Sequence, residues 1–573
     1  MYDQFLFTRI HLSKLFKKYK TGFILLYVVM CVIITFLVFR GIITQFFSDA
    51  VLKEMGSAQD KNNIIGFAPE AWLGLLGLVL GTLIIVISVA SQSTPKLIDL
   101  YTGDQTSLFY IWYIVVGSVH NMFLQLIENY PSEETTIHML FNTYLMLPSA
   151  LMLAVPYVLY ILRYTKTSNV VEKIYANNIK RVQRLKERAQ SSLLNDVSVV
   201  AEYQFELFES LNQLDDLLEY VSFKEPKGDI INKISELIQV YVSIKDTLIQ
   251  YAPNFFEITD RIGTDVSFKT MTGQFDEMKN NRVFYEQKGF RLLGNAYIKL
   301  IENDDFDLAS LCAYELSECG RKAIECKDHN LIDLILVRFN TLIRFGIKHG
   351  LKNQEARNLY NSIFHYSEYI HHIVKTKEPN LIKTSCTYLN RYVNEIYKHS
   401  REERSFSFLV DAFTWEFKRI LIELNKNEVD IALQKEILGL FLKIDNLSDA
   451  HEDISKGRAY SSGVRKLQIA LALYYLKNQE KDISLAESII IDILNDHEHM
   501  DRETLRNTVN RTCNELAVAE ENFWEDTDRG NLNLYYSNDT QSLQFFMELF
   551  DRMLDTYMLL TKRSRNSSSE SVE

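Results

Sequence analysis

No proline follows Pro379 in this 573-residue chain, and no valine-rich run alternates with polar residues, which argues against strands in the last third. Cysteine is sparse. The six are scattered and none forms a Cys-x-x-Cys pair, so neither a zinc ribbon nor a disulfide framework is indicated. An excess of cations is missing too. With 62 Lys and Arg against 74 Asp and Glu, the net charge of −12 argues against nucleic acid as a partner, because phosphate binding needs a basic face. Nor does the chain carry a Walker-type glycine loop, a Gly-x-Ser-x-Gly elbow or a His-Glu-x-x-His step. The sequence therefore predicts no enzyme and no cofactor.

What is present is uneven. Apolar residues make up 47% of the chain and crowd into Thr21–Leu162, while the remainder reads as an ordinary soluble helical protein. The organising stretch is Ala71–Thr94, which has no charged residue and is about as long as the ~20 residues that cross a bilayer. Gly77 and Gly81, with Gly74 nearby, form a Gly-x-x-x-Gly pair that lets another helix approach closely. This predicts a helix–helix contact at Gly77 and Gly81, within the chain or with a second copy. The far end turns polar at Ser88, Ser91 and Gln92.

Three further apolar segments are expected to span: Thr21–Phe39, Thr106–Ile127 and Met139–Leu162, the last with Pro148 and Pro156 inside it. The flanks set the orientation. Lys14, Lys17, Lys18 and Lys20 precede the first span, and Arg163, Lys166 and Lys173 follow the last. The loop Glu128–Ile137 holds three glutamates and no Lys or Arg. Basic ends stay in the cytosol, so both termini are predicted there. Five of the cysteines then lie in the cytosol, where thiols remain reduced. Within the spans only His120 is ionisable at depth, which disfavours a proton relay or coupled transporter. His120 reads either as a pore or ligand residue or as a histidine hydrogen-bonded to a neighbouring helix.

The run Ser91-Gln92-Ser93-Thr94-Pro95-Lys96-Leu97-Ile98, followed by Asp104-Gln105 and an aromatic third span, resembles a bacterial family of membrane proteins known only as a domain of unknown function. Thr94 and Lys96 stand where that family has Ser and Arg. The resemblance covers the first third of the chain. It implies a multi-pass protein of the bacterial inner membrane and no known catalytic residue.

From Ser168 onward, amphipathic segments of helical length alternate with short polar breaks at Lys224–Gly228, Gln250–Asn254, Gly263–Gly273, Asn303–Asp305, Lys327–Asn330, Lys348–Asn353 and Lys377–Asn380. The first of these segments is expected to continue the last span. Val266–Met271 reads as a short extended piece, and Thr561–Glu573 as a disordered tail. The fold class predicted is all-α: a four-helix transmembrane domain (1–165), a membrane-proximal helical region (166–260) and an irregular, solenoid-like helical repeat domain (261–560).

Two groups raise the question of a metal. Cys312, Cys319 and Cys326 recur every seven residues, and two helical turns separate neighbours by about 10 Å, too far to share an ion. His365, Glu368, His371 and His372 contain a Glu-x-x-His step of the kind helical di-iron sites use, but such sites need a second step and none is found. His399, four residues after Glu395, is a further candidate to join through space, and His497-Glu498-His499 reads as solvated. No metal is predicted, with those four residues as weak candidates. The function expected is a membrane-embedded scaffold or sensor, held by the lipid bilayer, whose cytosolic helical domain binds a protein partner or its own copies. The alternative is a homo-oligomeric channel lined by Ser88, Ser91, Gln92 and His120 and gated by that domain.

Overall fold

Among the described residues every long apolar-periodic segment forms a helix, and no strand occurs. The structure is a computed structural model that describes residues 67–93, 105–127, 138–163, 166–355, 357–400, 406–445, 462–477, 482–496, 500–522 and 533–570. The expected first span Thr21–Phe39, residues 94–104 of the family-like motif, the acidic loop Glu128–Ile137 and His497-Glu498-His499 lie outside them.

Two compact units divide the chain, Met1–Thr272 and Gly273–Glu573. The first contains three helical segments long and apolar enough to cross a membrane, within Ala68–Ile85, Phe109–Leu126 and His138–Ile161. They belong to α1 (Ala68–Ser93), α2 (Gln105–Ile127) and a π-helical turn, Asn142–Met146, running into α3 (Leu147–Arg163). All three helices touch one another. Pro148 accounts for the π turn: its ring cannot donate and would crowd the carbonyl four residues back, and the wider turn makes room. Leu147 N–H accordingly donates to Asn142 O, five residues back.

After Arg163 the chain does not run on as one helix. Lys166 has extended backbone and starts α4 (Thr167–Arg188) anew. With α5 (Val197–Tyr220) and α6 (Lys224–Tyr251), α4 makes a three-helix group. The expected break at Lys224–Gly228 is instead the first turn of α6. Pro226 fits there because an N–H in the first turn has no intrahelical acceptor. Buried Gln204 clasps the chain beyond α6, donating to the carbonyls of Phe255 (2.8 Å) and Glu257 (2.7 Å) and accepting from Thr259 Oγ1 (2.7 Å). Val266–Lys269 is a helical turn, not an extended piece. Its Phe268 is buried edge-on against Phe208, which draws residues past 260 into the first unit.

The second unit stacks α7 (Phe284–Glu302), α8 (Phe306–Glu325), α9 (His329–Asn353), α10 (Arg357–Thr376), α11 (Pro379–Ser400), α12 (Ser407–Lys426) and α13 (Ile431–Leu442). The series continues through α14 (Ser462–Lys477), α15 (Ile483–Asp496) and α16 (Arg502–Ala517), with α17 (Leu543–Glu570) packed on the end. From α7 to α13 each helix touches the next and the next but one, which is the two-layered contact pattern of a helical repeat. Each layer buries one face of every helix. α17 runs on to Glu570, well into the tail expected to be disordered: once its first turns are packed through Phe546, Phe550 and Leu554, each added residue needs no new nucleus.

Left-handed residues end many of these helices. Arg282, which follows the short helix Phe275–Asn281, and Asp304, Lys327, Gln354, Lys377 and Glu428 all have φ between 53° and 59°. At five of them the following N–H reaches a carbonyl five residues back, as Asp305 does to Leu300 O (2.8 Å) and Asp328 to Ala323 O (3.0 Å). This closes the last turn without a glycine. It also places the end of α9 at Gln354, beyond the break expected at Lys348–Asn353.

Candidate functional site

Close approach in the apolar helices is made by a different glycine from the pair singled out in the sequence. On α1 the buried stripe is Trp72, Leu75 and Val79, one position every turn. Gly77 and Gly81, like Gly74, lie off that stripe, and nothing within 4 Å would meet a Cβ at any of the three. Gly117 of α2 is the crossing point: a Cβ there would run into the Trp72 ring. Trp72 Nε1 donates to Asn142 Oδ1 at 2.7 Å, and Asn142 Nδ2 lies 3.1 Å from both Gly117 O and His120 Nδ1. One fully buried asparagine thus joins α1, α2 and the π turn. His120 is part of this knot, its ring edge-on to His138 at 5.5 Å, which is the helix-bonded reading of that residue. Two α2 tyrosines add to it, Tyr110 donating to Ala150 O (2.8 Å) and Tyr113 to Met146 O (3.3 Å). Ser88 is exposed on α1, which also carries Ser91 and Gln92 in its last turn.

In the second unit the histidine cluster separates into two sets. His365 turns to α8, with Nε2 3.2 Å from Ser310 Oγ and its ring against Tyr314. His372 is half-buried and stays outside the grouping described next. His399 pairs with its own Glu395 at 3.6 Å. Glu368 and His371 instead meet Glu416 of α12, a residue the sequence gave no reason to join to them, and one ligand atom from each falls within 4.8 Å of the others. α10 and α12 are neighbours in one layer of the repeat, and the step Glu368-x-x-His371 faces Glu416-x-x-Arg419. The second step therefore exists in space, with arginine where a dinuclear site would have histidine.

Arg419 links the two carboxylates, its Nη1 2.9 Å from Glu416 Oε2 and 3.3 Å from Glu368 Oε1. Ser367 Oγ donates to Glu416 Oε2 at 2.9 Å. The Glu416 side chain is 1% exposed, whereas those of Glu368 and Arg419 are 37% and 35% exposed and form the outer edge. The Arg419 guanidinium also lies 5.0 Å from the Trp415 ring centroid. His371 Nε2 is buried and makes no hydrogen bond. Burial first, then the Arg419 charge, lowers its imidazole to about 4, so it is neutral at physiological pH. The cysteines take no part. Cys312 and Cys319 are buried in α8, Cys326 is half-buried after it, and burial raises the Cys312 thiol far above its ordinary range.

No family model matches the chain, and no curated protein matches it. Among solved structures it is similar to a circular tandem repeat protein with novel repeat topology and enhanced subunit contact surfaces, at 12% identity and a TM-score of 0.21, over 88% of this chain and all of that one.

Proposed function

We propose that this is a membrane-anchored scaffold or sensor whose helical repeat binds a protein partner or other copies of the chain. The observation that carries this reading is the pairing, in one chain, of three mutually packed apolar helices with a stacked helical repeat. Stacked helix pairs expose long faces suited to protein recognition. The charges flanking the apolar segments support a reading with both termini in the cytosol, and the resemblance of residues 91–105 supports a bacterial inner membrane. Gly77 and Gly81 face away from the three-helix packing, which suits a contact with a second copy or with the apolar segment Thr21–Phe39. The engagement of His120 with Asn142 favours anchoring over conduction, because it gives the ionisable group of α2 an architectural partner. Cross-linking and pull-down from native membranes should recover a stoichiometric partner or an oligomer through the repeat. Ion flux in liposomes from the purified protein, with no partner protein captured, would replace the scaffold by the homo-oligomeric channel.

A further inference from the structure

Three donors of mixed chemistry converge where α10 meets α12, and one of them, His371 Nε2, is buried without a hydrogen bond. A buried polar atom left that way costs stability unless something else binds it. Two carboxylates stand beside it, against a single guanidinium. Glu368, Glu416 and Arg419 meet there, and the Lys375 ammonium also lies near enough to act on the His371 imidazole. We propose that Glu368, His371 and Glu416 form a mononuclear site for a first-row divalent cation such as Zn²⁺ or Mn²⁺, with Arg419 as the exchangeable counter-charge.

One imidazole nitrogen and two carboxylate oxygens suit such ions, whose bonds to these atoms are about 2.0–2.2 Å long. Tetrahedral binding brings ligand atoms to about 3.4 Å from one another, so the present spread, within 4.8 Å, must tighten. Glu368 can supply that movement, since its half-exposed side chain lies at the outer edge, while Glu416 is held from behind by Ser367. Arg419 has somewhere to go as well: it is half-exposed and already lies near the Trp415 ring, a face that takes a guanidinium. The site is mononuclear because the position that would complete a second Glu-x-x-His step is Arg419. Occupation would tie α10 to α12 directly and stiffen one layer of the repeat.

The test is titration of chelator-stripped, tag-free full-length protein in detergent with Zn²⁺ alone and Mn²⁺ alone, followed by calorimetry, elemental analysis and thermal melting. One saturable equivalent of either ion and a raised melting temperature are expected. His371→Ala and Glu368→Gln should weaken binding by about tenfold or more, Arg419→Gln should tighten it, and His365→Ala and His372→Ala should leave it unchanged. Should Glu416→Gln fail to fold, His371→Ala and Glu368→Gln, each compared with the wild-type melt, still decide the matter. Absence of saturable binding in both the wild type and Arg419→Gln overturns the proposal. So does binding that survives intact in His371→Ala and Glu368→Gln, which would locate the ion elsewhere.

Discussion

Gly320 and Lys418 show how much of this protein is decided by single side chains in the repeat. Gly320 lies on α8 under the Tyr369 ring of α10, and a Cβ there would overlap the ring, whose hydroxyl is held by Ile332 O at 3.1 Å. Because the ring is tied at its far end, it cannot simply swing away. Gly320→Ala should lower stability by about 1–3 kcal/mol, read as a fall in melting temperature, while Gly439→Ala on α13, where a Cβ meets nothing within 4 Å, should not. Lys418 is buried, and desolvation brings its amine from 10.5 down to about 8, partly offset by Asp539. Between those pH values the unfolded chain holds the proton and the folded chain does not, so stability rises as pH rises through 8 toward 10.5. The rise should be on the order of 3 kcal/mol, and below pH 8 this contribution to the slope vanishes. Melting curves of the wild type and Lys418→Met across pH 7–10.5 check this: the variant should lose the slope, and equal slopes would place the ammonium in water.

At the scale of elements, the packing of α1 against α2 depends on Gly117, and the glycine pair Gly77 and Gly81 takes no part in it. Gly117→Leu should disrupt the three-helix group, since the added side chain falls on Trp72 and pushes its indole off Asn142. Gly81→Leu should leave the monomer's melting temperature unchanged and alter only oligomeric mass. If both variants melt alike, the Trp72–Gly117 crossing is not what joins these helices. Helix ends make a second point. Asp304 and Lys327 sit at φ of 59° and 56°, where a side chain costs energy that glycine avoids. Asp304→Gly and Lys327→Gly should each hold or raise stability, by up to about 1 kcal/mol, against the usual penalty for glycine elsewhere in a helix. A clear loss at both sites would mean that their side chains do more than tolerate the turn.

For the whole molecule, the proposed orientation in a membrane rests on charge and can be checked directly. Ser57→Cys and Ser132→Cys should react with an impermeant thiol reagent added to intact cells, and Ser168→Cys should be protected. Labelling of Ser168→Cys from outside would invert the arrangement. The sequence by itself determined the all-helical class, because 3.6-residue periodicity and the lack of alternating runs are local properties. It located the three apolar helices of α1–α3 to within a few residues, since length and hydropathy need no partner to be recognised. It also marked the breaks at Asn303–Asp305 and Lys377–Asn380 through their polar composition. It missed the end of α9 at Gln354, because a left-handed turn on a glutamine carries no glycine to announce it. Only the tertiary structure decided which glycine packs, since Gly117 matters through Trp72, a residue 45 positions away that no spacing rule connects to it. The same holds for the cluster on α10 and α12. Glu368-x-x-His371 was legible as a step on one helix, but Glu416 and Arg419 meet it only because the repeat brings alternate helices into one layer, and sequence separation is silent about such contacts.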